Sequence, residues 1–177
     1  MSVDDKYKLV LPDKEEAFVD CFGGVYEHSP WIARAAYPLF AGLDAANLET
    51  LAAAMKTIVD NASDQKKLDL LRAHPDLAGR IALAGELTPF SSAEQRSAGL
   101  DQCSPQEYED FQNLNKQYLA QNAFPFILAV SGLNRSAILD NFRVRLENSK
   151  TQEFKTALEQ VHKIAHIRLS AIRKNQG

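Results

Sequence analysis

Apolar positions along the chain recur with the three-to-four-residue period of helices, while strand-like alternation with hairpin turns is nearly absent. Leu48, Leu51, Ala52, Met55, Ile58 and Val59 form one stripe, predicting a helix over Ala45 to Val59 with Asp44 as its cap. Ser29-Pro30 opens a segment through Tyr37, with the serine as cap and the proline at the first helical position. Asp64 caps a shorter helix through Ala73, which must stop at His74 because Pro75 pushes the preceding backbone away from helical angles. Ser91-Ser92-Ala93-Glu94 and Ser104-Pro105-Gln106-Glu107 are both serine-to-glutamate capping boxes. They predict helices to around Leu100 and Asn122. Asn134 caps a helix to Leu146, and Ser149 or Thr151 begins a long final helix to Arg173.

One stretch resists this reading. Phe124-Pro125-Phe126-Ile127-Leu128-Ala129-Val130 is continuously apolar, contains a proline and runs into Ser131-Gly132. It suits a buried extended segment or a short core helix, and periodicity does not choose between them. The expected fold is all-α: a single-domain helical bundle over residues 1–177, with about seven to nine helices and one short apolar extended or irregular core segment.

Composition narrows the function. With 177 residues, 45% hydrophobic and 24% charged, the chain has the proportions of a globular domain, not of a disordered or fibrous one. Twenty Lys and Arg against 23 Asp and Glu leave a net charge of −3, which lacks the basic field that nucleic-acid binding needs. Cys21 and Cys103 are the only cysteines, too few for a disulfide framework, and no CxxC or Cys/His ligand spacing accompanies them. The charged start lacks a secretory leader's apolar run, and Asn175-Gln176-Gly177 matches neither a peroxisomal address nor a prenylation box. No apolar stretch is long enough to span a membrane. A cytoplasmic protein is expected.

Candidate chemistry lies where a residue contradicts its local pattern. In the last helix, Leu158, Val161, Ala165, Leu169 and Ile172 share a face, and Arg168 lies near its middle. An arginine aimed at a core needs a carboxylate, carbonyls or an anionic ligand, or must snorkel at the rim. His162 and His166 are spaced to chelate a metal, but Lys163-Ile164-Ala165 between them lacks a zincin glutamate and no third ligand is signalled. Solvated surface histidines are the expectation. His74 sits at a helix C-terminus, where the carbonyls favour a protonated ring and Pro75 stiffens the backbone, and it suits proton transfer or simple capping. Glu94 fits its capping-box role without any ligand, whereas Gln95 has no such assignment.

Four blocks taken in order carry a resemblance. They are His74-Pro75-Asp76-Leu77-Ala78-Gly79-Arg80, Leu87-Thr88-Pro89-Phe90-Ser91-Ser92-Ala93-Glu94-Gln95 with Ala98-Gly99-Leu100-Asp101, Asn115 to Tyr118, and Phe124-Pro125-Phe126-Ile127. Together they resemble the 2-oxo-4-hydroxy-4-carboxy-5-ureidoimidazoline (OHCU) decarboxylases, the last enzymes of the urate-to-allantoin route. The likeness extends from Trp31 to Lys163-Ile164-Ala165-His166-Ile167-Arg168-Leu169.

The resemblance implies His74 as the catalytic histidine, with Pro75 lining the substrate site. It implies Ser91, Glu94 and Gln95 as substrate ligands, with Ser92 beside them, and Arg168 as the site arginine. Backbone groups of Phe126, Ile127, Leu128, Ala129 and Val130 are implied as hydrogen-bonding partners, Ile127 foremost. His166 stands where the family more often has arginine. The implied reaction is decarboxylation of the small molecule OHCU to (S)-allantoin, without cofactor or metal, by a cytoplasmic homodimer with no nucleic-acid or membrane partner. Two readings compete: a non-catalytic helical module offering an apolar groove, and a metal hydrolase built on His162, His166 and a carboxylate.

Overall fold

The structure is a computed structural model and describes residues 7–77 and 103–176. Seven α-helices are present among these residues: α1 (Glu15–Phe22), α2 (Trp31–Ala36), α3 (Leu48–Asp60), α4 (Asp64–Ala73), α5 (Pro105–Gln121), α6 (Arg135–Leu146) and α7 (Lys150–Asn175). The all-α expectation holds, apart from two three-residue strands, β1 (Lys8–Val10) and β2 (Ala45–Asn47). The predicted helix at Ser91 lies outside the described residues. The chain forms two compact units, one of residues up to Ala73 plus those from His162 onward, the other of His74–Val161.

In the first unit, β1 and β2 pair antiparallel with Leu9 opposite Ala46. This displaces the start of α3 from the expected Ala45. Asn47 rather than Asp44 is the cap, its side chain accepting the Glu49 N–H at 2.8 Å. At the edge of β1, the Gln176 side chain bonds the Val10 N–H through Oε1 at 2.9 Å and the Val10 carbonyl through Nε2 at 3.1 Å. The α2 helix starts one residue later than expected, with Pro30 at its cap position and no capping bond from Ser29. It ends in a 3₁₀ turn, Tyr37–Leu39, which contains Pro38. Asp64 is the first residue of α4, and Ser63 Oγ accepts the Lys66 N–H at 3.3 Å instead. Leu9, Phe18, Phe22, Ile32, Leu51 and Met55 form the fully buried core. Between α1 and α2 the chain turns through His28, whose φ of 47° lies in the left-handed region.

The second unit contains α5 and α6, packed together, and the first part of α7. Ser104 and Glu107 form the reciprocal box that the sequence predicts, with Ser104 N–H to Glu107 Oε2 at 2.8 Å and Glu107 N–H to Ser104 Oγ at 3.2 Å. That backbone hydrogen bond, with the Arg135 guanidinium, holds the Glu107 carboxyl below the usual carboxylate range. Asn134 caps α6 by accepting the Ala137 N–H at 2.9 Å. The Phe124–Val130 stretch adopts neither helix nor strand. Phe126 stacks on Phe142 at 3.6 Å between centroids and meets Tyr118 edge-on at 5.2 Å, so the segment enters an aromatic core. Replacing Ser104 with alanine removes the Oγ that accepts the Glu107 N–H, while the backbone half of the box remains, and is expected to cost about 1 kcal/mol of stability, read as a lower urea midpoint with unchanged slope.

Candidate active site

His74 follows the last residue of α4, as the His-Pro junction requires, and only 5% of it is exposed. Pro75 is half-buried beside it. Asp76, the next residue, accepts a hydrogen bond from Asn115 Nδ2 at 2.8 Å. Asn115 is buried on the inner face of α5, so this bond ties the segment after His74 to that helix. Ser91, Ser92, Glu94 and Gln95 lie outside the described residues.

The Phe126–Val130 segment also belongs to the second unit. Phe126, Ile127, Leu128 and Val130 are buried and Ala129 is half-buried. The Ile127 carbonyl accepts from Arg145 Nη1, and the Ala129 N–H donates to Gln160 Oε1 at 3.1 Å. Arg145 is itself buried and paired with buried Glu153. The Glu153 carboxylate further accepts from Tyr118 Oη at 2.6 Å and Asn148 Nδ2 at 2.8 Å. Burial, then the adjacent Glu153 carboxylate, pushes the Tyr118 phenol far above its ordinary pKa, so it remains a donor.

Arg168 lies in the first unit and is 2% exposed. Its Nη1 is 2.6 Å from Glu27 Oε2, with the Gly24 and Val25 carbonyls at 3.4 and 3.5 Å. Of the partners the sequence left open, a carboxylate and carbonyls are therefore both present.

Of the two histidines of α7, His162 departs from the solvated expectation and His166 keeps to it. The His162 side chain is only 10% exposed, not solvated. Its Nδ1 meets the Tyr26 hydroxyl at 2.9 Å and its Nε2 faces Asp60 at 3.3 Å. Burial and the Asp60 charge push the Tyr26 phenol well above its usual pKa. The phenol keeps its proton and, when the ring is neutral, can donate to Nδ1, which leaves Nε2–H for Asp60. His166 is 45% exposed and pairs with Glu49 at 2.9 Å. Tyr26, His162, His166 and Glu49 line a cleft of about 250 Å³ together with Ala52, Ala165 and Leu169. Each imidazole meets a different carboxylate, and the described residues contain no group of three His, Cys, Asp or Glu arranged to hold a metal.

The family model described as OHCU decarboxylase matches residues 13–170. The chain belongs to the OHCU decarboxylase family. It is 45% identical over 156 residues to the 2-oxo-4-hydroxy-4-carboxy-5-ureidoimidazoline decarboxylase of Haloferax volcanii, covering 88% of this chain and 89% of that one. To the protein of the same description from Halalkalicoccus jeotgali it is 42% identical over 158 residues, covering 89% and 86%. A crystal structure of (S)-allantoin synthase superimposes with a TM-score of 0.72 at 36% identity, over 90% of this chain and 50% of that chain.

Two buried charged residues of the second unit went unread in the sequence although a signal was present. Arg145 continues the buried Ile138–Phe142 face of α6, and Glu153 heads the buried Ala157–Val161 face of α7. The face argument that marks Arg168 marks both. Glu27 gave no such signal, because it lies in an irregular turn between α1 and α2.

Two stability predictions follow from these pairs. Glu27→Gln removes the carboxylate that the buried Arg168 guanidinium meets at 2.6 Å and is expected to destabilise the chain by about 3–5 kcal/mol in urea unfolding. Partial burial tends to raise the Asp60 carboxyl, but the Lys56 hydrogen bond and His162 outweigh it and hold it below the usual range. A carboxyl depressed in the folded state adds stability above its unfolded pKa of about 4, and that contribution disappears as pH falls through the folded value. Asp60 is 46% exposed, so screening limits the effect. Asp60→Asn is therefore expected to cost about 0.2–1 kcal/mol at pH 7 and progressively less as the pH is lowered below about 4, measured by denaturation across the acid range.

Proposed function

We propose that this chain decarboxylates OHCU to (S)-allantoin in urate breakdown, with residues 1–177 acting as one catalytic domain. The observation that carries the reading is the family match over residues 13–170, within which His74 stands buried at the end of a helix ahead of a proline. In the substrate, one ring carbon bears a hydroxyl and a carboxylate and adjoins a C=N bond. When its bond to the carboxylate breaks, carbon dioxide leaves and the electron pair passes into the C=N bond, so the substrate is its own electron sink and needs no cofactor. A proton then adds at carbon, and its delivery to one face gives the (S) product.

The protein's work is orientation, charge placement and proton handling. His74 exchanges a proton with the hydroxyl and carboxylate region. Glu94 accepts N–H bonds from the ureido arm or ring, with Gln95, Ser91 and Ser92 completing the polar contacts. Pro75 and the backbone of Phe126, Ile127, Leu128, Ala129 and Val130 line the substrate. Arg168, paired with Glu27, directs its planar fork to a ring carbonyl. No helix among the described residues is long and apolar enough to cross a membrane. The enzyme acts as a cytoplasmic homodimer, consistent with the family resemblance.

OHCU generated in situ from urate provides the test. Relative to a protein-free control, the chain should accelerate its decay and yield optically enriched (S)-allantoin; an unchanged rate and a racemic product would refute the reading. His74→Asn should lower turnover about 10²–10⁴-fold while the protein stays folded and still binds allantoin. Normal turnover by Glu94→Gln would remove the carboxylate from any essential role.

A further inference from the structure

Phe124–Val130 forms no helix or strand, so no ladder of its own fixes where its N–H and C=O groups point. Two side chains from neighbouring helices do so. Arg145, three residues beyond Phe142 on α6, donates through Nη1 to the Ile127 carbonyl and lies over the Phe126 ring, 4.4 Å from its centroid. Its Nε meets Glu153 Oε1 at 2.9 Å, and Nη2 meets the same oxygen. One guanidinium thus engages a carbonyl, a carboxylate and an aromatic face, a combination that lysine's point charge does not reproduce. Further along α7, Gln160 Oε1 accepts the Ala129 N–H at 3.1 Å.

The peptide between Ile127 and Leu128 is trans, so its carbonyl and N–H point to opposite sides. Arg145 holds the carbonyl and thereby aims the Leu128 N–H away from itself. Gln160 fixes the next N–H. A buried ion pair generally stabilises a fold no better than well-packed apolar side chains would, so stability does not explain why a charge was placed beneath this segment. We infer that Arg145, held by Glu153, and Gln160 are positioning residues that set the Ile127–Ala129 backbone in the geometry that meets the substrate. The inference rests on the decarboxylase reading above. Neither side chain is assigned contact with the substrate.

The experiment compares OHCU kinetics and allantoin binding in folded variants. Gln160 is half-buried and uncharged. Gln160→Leu should therefore stay folded while KM for OHCU and the allantoin Kd rise about tenfold, the equivalent of one hydrogen bond's worth of binding. Gln160→Glu keeps an acceptor for Ala129 and should restore most of that loss, which a purely structural role would not require. Arg145→Lys, which keeps the charge and loses the fork, should raise KM in the same direction. The double variant Arg145→Met with Glu153→Gln should do so more strongly, with kcat reduced less than KM is raised. Should the arginine variants fail to fold, the two Gln160 variants decide alone. An active wild type beside a folded Gln160→Leu with unchanged KM, kcat and allantoin affinity would overturn this inference only. A wild type that leaves OHCU decay unchanged would instead remove the decarboxylase reading.

Discussion

A guanidinium taken out of water must be met by a carboxylate, and each of the two units is organised around one such meeting. Arg168 closes on Glu27 in the first and Arg145 on Glu153 in the second, with all four residues no more than 5% exposed. Removing an ion from water costs several kcal/mol even after relaxation, so neither partner is tolerated alone. Both pairs also discipline irregular chain. Glu27 reaches Arg168 only because the turn between α1 and α2 takes one particular course, through a left-handed His28. Ile127 offers its carbonyl to Arg145 only because the apolar run leaves regular structure at that point.

Helices announced themselves wherever a cap stood beside an apolar stripe. Ser104 with Glu107, Asn134 and the Leu48–Val59 stripe gave boundaries close to those observed, since capping and amphipathicity are both local. What failed was non-local. Ala45–Asn47 looks like the head of a helix until Lys8–Val10 pairs with it, and three residues are too few to show a strand period. His162 was misread as solvated because its burial depends on Tyr26 and Asp60, which arrive from distant parts of the chain.

The candidate site follows the same division. That α4 ends at His74 was legible from Pro75, and the inward aim of Arg168 from the angular positions of its neighbours. The carboxylate facing Arg168 was not, because a turn has no period to betray an inward side chain. Asn115 stood in one of the recognisable blocks, yet its bond to Asp76 required coordinates. The serines, glutamate and glutamine of the second block rest on the family resemblance, since they lie outside the described residues.

The grip of Gln176 on Val10 reaches beyond local order. A strand with one open side presents donors and acceptors in the spacing that another polypeptide can copy, and Val10 adds an apolar side chain that is 56% exposed. By occupying both the N–H and the carbonyl of that residue, a primary amide takes the place an intruding chain would need. Gln176 thus leaves neither backbone group of Val10 open to pairing with a further strand.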